Sequence, residues 1–301
     1  MSEPLPADPR ALVRRVAERL APARFDAPER EAQALVAAVL DRTPGELELD
    51  GLLGRRIPAA DAARVLAAAA RRARREPLQH LVGRAPFHGH DLAVGPGVFV
   101  PRPETELLVE AALARLAPAR ADARPRVADL GAGSGAIAIA IAAARPDARV
   151  LALEASPRAW PWLRRNLRAH APGAEPRFGD WRQQLEAEPD GDFALLVSNP
   201  PYVPTREIPA DPEVRRHDPE PALYSGADGL DEIRRIAGAA RRLLAPGGHV
   251  LVEHTERQGA ATRAVLESAG LVDAATLADL TGRDRITLAR AGAVGRRGPC
   301  D

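Results

Sequence analysis

The chain has 301 residues, room for a full α/β domain and a smaller partner at ~100–200 residues per domain. Its 42 basic residues, all arginine, stand against 41 acidic ones, and a formal charge of +1 weighs against a protein that grips a long phosphate backbone by basic excess. The single cysteine, Cys300, excludes an intramolecular disulfide, and no apolar run approaches the ~18 residues that span a bilayer, so the chain reads as soluble and cytoplasmic.

Residues 11–20, 28–41 and 58–75 carry Leu, Val or Ala at helical spacing with Arg and Glu between them, which predicts three amphipathic helices. Pro28 and Pro58 stand where helices start, Asp26 is placed to cap the second, and 43–53 reads as a short helix and turn. The third helix ends in Arg71, Arg72, Arg74 and Arg75, a basic turn that suits the negative end of a helix dipole and reads as solvated. Residues 1–76 thus form one helical domain. After Pro77 the texture changes. Two short apolar runs, 87–94 and 98–100, flank Gly95-Pro96-Gly97 and predict a β-hairpin within a linker at 77–102. Pro103 opens a helix to Leu116, and 118–125 is a connection without pattern.

From Arg126 onward strand and helix alternate. Strands are expected at 126–130, 149–153, 175–178, 193–198 and 249–254, with helices at 135–145, 156–170 and 231–243. A helix at 258–269 leads to strands at 271–277 and 284–290, and 292–301 reads as a disordered tail. Such alternation implies an α/β fold, a mainly parallel sheet with helices on both faces. Ligands of such sheets bind beyond the carboxyl ends of the strands, where strand order reverses.

Three of those strand ends carry chemistry. The first runs into Gly131-Ala132-Gly133-Ser134-Gly135, where glycines let the backbone turn tightly and approach a ligand. The spacing lacks the third glycine of G-x-G-x-x-G, so the loop alone leaves dinucleotides and other nucleosides open. Glu154 ends the second strand about 20 residues on, where nucleoside-binding folds place a carboxylate on the ribose hydroxyls. The third ends in Gly179-Asp180-Trp181: Asp180 can accept from an adenine amino group, and Trp181 offers the ring an apolar surface.

The fourth strand ends in Asn199-Pro200-Pro201-Tyr202. Two prolines fix φ and remove two backbone donors, so the Pro200 carbonyl projects with no competing N–H beside it. Asn199 adds a side-chain acceptor, giving a two-acceptor clamp for a planar NH₂ group, and Tyr202 can cover the flat face of that group. An amide nitrogen is a poor nucleophile, and fixing it toward an electrophile can supply ~7–11 kcal/mol of the barrier. Positive charge then moves onto nitrogen, strengthening both hydrogen bonds and favouring the Tyr202 π-face. No metal and no nucleophilic side chain are required.

The glycine loop followed by Asn199-Pro200-Pro201-Tyr202 resembles the class I, seven-stranded, S-adenosylmethionine-dependent amino-methyltransferases, which act on adenine N6 or on protein glutamine. Pro77-Leu78-Gln79-His80-Leu81-Val82-Gly83, Phe87-His88-Gly89 and Val100-Pro101-Arg102-Pro103-Glu104-Thr105-Glu106 narrow the match. So do Ser225-Gly226-Ala227-Asp228-Gly229-Leu230, Glu253-His254, Gln258-Gly259 and Gly282-Arg283-Asp284-Arg285. These resemble the PrmC/HemK family of release factor N5-glutamine methyltransferases along residues 10–290.

The resemblance implies S-adenosylmethionine as cofactor, S-adenosylhomocysteine as product and no metal. It implies a helical domain at 1–76 that docks class I peptide chain release factors, a catalytic domain at 103–291, and no membrane or direct nucleic-acid partner. Its cofactor roles fall on Gly131, Gly133, Gly135, Glu154, Trp181 and Asn199, to which the loop adds Ala132 and Ser134 and the third strand end adds Asp180. Its substrate roles fall on Asn199, Pro200, Pro201 and Tyr202, with Asn199, Pro200 and Tyr202 catalytic. Glu154 departs from the family's frequent Asp, and its extra methylene still reaches a ribose. The alternatives are a sister enzyme acting on a large-subunit ribosomal protein and an adenine-N6 enzyme. The latter should carry a target-recognition insert or a basic face.

Overall fold

The computed structural model describes residues 7–116 and 124–292; the tail beyond Gly292 and most of the 118–125 connection lie outside them. The chain divides into two compact units. One takes the chain up to Arg84 together with Ala210–His217, and the other takes Ala85–Pro209 and the chain from Asp218 onward.

The first unit holds α1 (Pro9–Leu20), α2 (Pro28–Val39), α3 (Pro44–Leu52), α4 (Ala59–Arg72) and α5 (Leu78–Val82). Proline opens α1, α2 and α3, where its missing N–H costs nothing. Asp8 caps α1 by accepting from the Ala11 N–H, and Thr43 and Glu46 form a reciprocal capping box on α3. Asp26 does not cap α2. Ala27 holds that position without a side-chain bond, and Glu29 and Glu31 in the first turn favour the helix start instead. Leu12, Val16 and Leu20 on α1 meet Leu35, Val36 and Val65 in one buried cluster, each such side chain contributing ~1.5–3 kcal/mol by leaving water.

The expected solvated end of α4 needs correction at Arg72. It lies three residues after buried Ala69, on the core-facing stripe, and is only 5% exposed. Its guanidinium bonds Glu31, the Glu76 carbonyl at 2.8 Å and Glu213 at 2.7 Å, and lies 4.6 Å from the Phe25 ring centre. Glu213 sits on a short helix, Pro212–His217, that the sequence did not disclose.

The second unit starts within β1 (Arg84–Phe87), which pairs with β2 (His90–Ala93) in a hairpin displaced from the expected one. Its turn is His88-Gly89, both with positive φ, as a two-residue loop between twisted strands requires. Residues 98–100 form no strand. Val98 and Val100 are buried beside Ala159, and Gly95 passes so close to Trp162 that a Cβ would lie 2.5 Å from the ring. A 3₁₀ turn, Pro103–Thr105, then leads into α6 (Glu106–Leu113).

The alternation that follows is β3 (Arg126–Leu130), α7 (Ala136–Ala144), β4 (Arg149–Glu154), α8 (Trp160–His170), β5 (Glu175–Phe178), α9 (Trp181–Gln184) and β6 (Phe193–Ser198). After Pro212–His217, which is α10, come α11 (Asp231–Leu243), β7 (Leu244–Glu253), α12 (Gly259–Ser268), β8 (Val272–Ala278) and β9 (Asp284–Arg290). The seven-stranded sheet has the order β5-β4-β3-β6-β7-β9-β8, parallel except that β9 runs against β7 and β8. One face packs on α6, α7 and α8 through Leu108, Ile139 and Leu163; the other packs on α11 and α12 through Ile233, Ile236 and Leu266. The chain moves outward from β3 to β5, then returns to place β6 on the other side of β3. The strand order therefore reverses between β3 and β6.

Candidate active site

The carboxyl ends of β3 and β6 open into a cavity of about 650 Å³ in the second unit. Gly131, Ala132, Gly133, Ser134, Glu154, Asp180, Trp181, Asn199, Pro200, Pro201 and Tyr202 all line it. Gly135 does not. With φ +87 it starts α7, and a Cβ there would lie 2.8 Å from Leu163, so this glycine serves packing and not the cavity wall.

Gly131 and Gly133 have φ of +78 and +57, and a Cβ on either would meet nothing within 4 Å. Backbone conformation, together with open space on the ligand side, is what calls for glycine there. Behind the loop, fully buried Asp129 accepts from the Ala138 N–H at 3.0 Å, serving the start of α7, which has no side-chain cap of its own. Burial raises the Asp129 carboxyl to about 7, with that N–H pulling it down and Glu154 adding to the rise.

Glu154 ends β4 and is 9% exposed. It accepts from the Gly133 N–H at 2.7 Å and the Ser156 N–H at 2.6 Å, so it fastens the glycine loop as well as facing the cavity. Burial raises its carboxyl, and those N–H groups oppose the rise. A carboxylate accepts about four hydrogen bonds, so these N–H groups leave room for a further donor from the cavity. Asp180 is more committed than the sequence suggested. It caps α9 through the Arg182 N–H at 3.0 Å and pairs with the Arg182 guanidinium, which lowers its pKa. Trp181 is buried and donates from Nε1 to Glu232 at 2.7 Å, which fixes its indole against the cavity.

Asn199 follows β6 directly. Its Nδ2 donates to Thr105 Oγ1 at 3.3 Å, and the Thr105 hydroxyl donates to Glu253 Oε2 at 2.7 Å. Glu253, the last residue of β7, is 1% exposed, and burial raises its carboxyl to about 7. Burial likewise raises the Tyr202 phenol above its ordinary value, with Glu253 adding to the effect. The backbone of Tyr202 is held from behind: Gln258 Nε2 donates to its carbonyl at 3.0 Å and to that of Asp228 at 3.1 Å. Phe99 and Thr105 also line the cavity, and Arg102 lies 4.9 Å from the Phe99 ring centre while pairing with buried Asp218 at 2.8 Å. No role for Phe99, Thr105, Glu253 or Gln258 was read from the sequence, although all but Phe99 lie in segments that carried the family resemblance. Their signal was motif membership alone.

Two family descriptions match the chain: the PrmC N-terminal domain at residues 11–83 and the methyltransferase small domain at residues 95–211. The release factor glutamine methyltransferase of Streptomyces coelicolor is 45% identical over 93% of this chain and 97% of its own length. Those of Bifidobacterium longum and Deinococcus radiodurans are 38% and 41% identical, covering 92% and 93% of this chain and 98% of each relative. Among solved structures, the human methyltransferase 10 domain containing protein aligns over 68% of this chain and 89% of its own, with a TM-score of 0.51 and 14% identity, a likeness of fold alone.

Proposed function

The chain belongs to the release factor glutamine methyltransferase family, and from that premise we propose that it methylates the N5 side-chain amide of the glutamine in the Gly-Gly-Gln loop of class I peptide chain release factors. The observation that carries the proposal is the placement of Asn199-Pro200-Pro201-Tyr202 in one cavity with the glycine loop and Glu154, at the reversal of strand order.

The residues present fit S-adenosylmethionine. Gly131 and Gly133 leave backbone and open space for it, Glu154 would offer lone pairs to its ribose, and Trp181 and Asp180, which line the same cavity, would hold its adenine. The cofactor supplies an electrophilic methyl group. The chain supplies orientation: the Asn199 side-chain oxygen and the Pro200 carbonyl accept the two N–H bonds of the glutamine amide and hold its nitrogen toward that methyl. Both acceptors bind more strongly as the nitrogen gains positive charge, which is where hydrogen bonds lower a barrier. Tyr202 covers the amide plane and keeps water from it. The helical unit is the proposed docking module, supported by its match to the PrmC N-terminal domain.

The test is transfer of labelled methyl to purified release factor, free large-subunit ribosomal protein and DNA in parallel. Label confined to the release factor glutamine is expected. Label on the ribosomal protein or on DNA alone overturns the substrate assignment.

A further inference from the structure

We infer that Thr105 and Glu253 are positioning residues that hold the Asn199 side chain in the one orientation able to accept a hydrogen bond from the substrate amide. The inference rests on the amide-clamp reading above and deepens it. An asparagine side chain has two nearly isosteric ends, and only the oxygen end can serve the clamp. Reversed, it would present an NH₂ group to the substrate NH₂ and repel it.

The surroundings of Asn199 choose between the two. Glu253 is almost fully buried, and its Oε2 accepts the Thr105 hydroxyl proton. With Glu253 ionised, the Thr105 hydroxyl hydrogen is held by Oε2, and Oγ1 turns its lone pairs to Asn199. The group facing it must therefore be an N–H donor, which puts Nδ2 toward Thr105 and frees Oδ1 for the cavity. Glu253 faces the same side-chain amide, and a carboxylate there favours the NH₂ end for the same reason.

The costs point the same way. A carboxylate out of water is expensive unless it is bonded. Arg285, whose charge acts on Glu253, pairs with Asp279 at 3.4 Å. Glu253 does not line the cavity, whereas Thr105 does, so Glu253 acts through Thr105 and not on the substrate. The elements make this possible: β6 and β7 are parallel neighbours with Ser198 opposite Val252, which sets Asn199 beside Glu253, and the Pro103–Thr105 turn brings the hydroxyl between them.

The experiment measures kcat and KM on intact release factor, and cofactor affinity by calorimetry, for the wild type, Thr105→Val, Thr105→Ser, Asn199→Ala and the double variant Thr105→Val/Glu253→Gln. Valine keeps the shape of threonine without its hydroxyl, and serine keeps the hydroxyl. Thr105→Val should lower kcat about tenfold or more, with KM and cofactor affinity within about threefold, because orientation is lost and binding is not. Thr105→Ser should recover most of that loss. The double variant removes the unpaired buried charge that can unfold the single one, and it should remain slow while folding as the wild type does. A double variant as fast as wild type, or a serine variant as slow as the valine one, overturns the inference. The wild-type and Asn199→Ala lanes separate the two levels. A wild type that leaves the release factor glutamine unlabelled overturns the proposed function and this inference with it. A wild type that labels it and depends on Asn199, with turnover indifferent to Thr105, overturns the positioning role alone.

Discussion

At the scale of single residues, two carboxylates under the glycine loop make separable predictions. Glu154→Ala removes the proposed ribose acceptor and also strands the Gly133 and Ser156 N–H groups that Glu154 bonds at 2.7 and 2.6 Å. Losing hydrogen bonds to a charged group, each worth ~1.5–3 kcal/mol, should weaken S-adenosylmethionine binding tenfold or more by calorimetry. Unchanged affinity with a normal circular dichroism spectrum would remove Glu154 from the cofactor site. Asp129 bears on stability. Its carboxyl is raised to about 7 in the fold from a reference value of 3.8, so between those pH values the native state binds the extra proton. Stability from this group is therefore present at low pH and lost as pH climbs toward 7. Asp129→Asn keeps an acceptor for the Ala138 N–H and has no proton to lose. Relative to wild type it should gain on the order of 3 kcal/mol in urea unfolding between pH 4.5 and pH 8. Parallel curves would show that Asp129 ionises normally. Placement was legible where candidate residues are consecutive: Asn199, Pro200, Pro201 and Tyr202 were read as one site and line one cavity. The Thr105–Glu253 bond spans 148 positions, and neither residue type announces itself alone.

At the scale of elements, strong periodicity was read well and loops were not. Asp231–Leu243 and Asp284–Arg290 have the expected bounds, because an amphipathic stripe and an apolar strand identify themselves locally. The hairpin was misplaced because Gly95-Pro96-Gly97 carries stronger turn chemistry than His88-Gly89. Yet its glycines answer to Trp162 and Arg158 packing, with Cβ approaches of 2.5 and 2.7 Å, and not to strand reversal. The same kind of close approach makes a prediction at the loop that backs the tetrapeptide. Gly229 has φ +79, and a Cβ there would lie 2.1 Å from the Tyr202 carbonyl oxygen, which is backbone and cannot swing aside. Gly229→Ala should push Tyr202 off its bond to Gln258 and lower kcat by about a hundredfold, since misplacement of ~1 Å can cost that much. Cofactor affinity should change little, because the Gly131–Gly133 loop is untouched. Full turnover in the alanine variant would show that Tyr202 needs no fixed backbone.

At the scale of the whole molecule, reading along the chain yields linear ranges, whereas the helical unit is assembled from two stretches. The chain leaves the catalytic unit at Pro209, soon after the tetrapeptide, contributes Ala210–His217 to the helical unit, and returns at Asp218. Arg72 is the most buried tie to that contribution, beside Arg75 at 3.6 Å from Glu213 and the His217 ring at 3.4 Å from the Arg74 carbonyl. The Arg72 side chain is 6% exposed and joins Glu31, 22% exposed, to Glu213, 18% exposed. Arg72→Leu fits the apolar stripe of α4 but leaves two largely sheltered carboxylates together, with Arg75 still 3.6 Å from Glu213. Breaking a fully buried pair costs ~3–5 kcal/mol, and partial exposure together with Arg75 should reduce this to ~2 kcal/mol in urea unfolding of the helical unit. If that unit docks the release factor, the loss has a specific kinetic form. The variant's kcat/KM on intact release factor should fall severalfold, while its rate on a short Gly-Gly-Gln peptide, which has no docking surface to lose, should stay near the wild-type value. The ratio of the two rates is the quantity to measure, since it cancels any difference in active enzyme. An unchanged ratio despite the loss of stability would mean that the helical unit supports the fold and does not recognise the substrate.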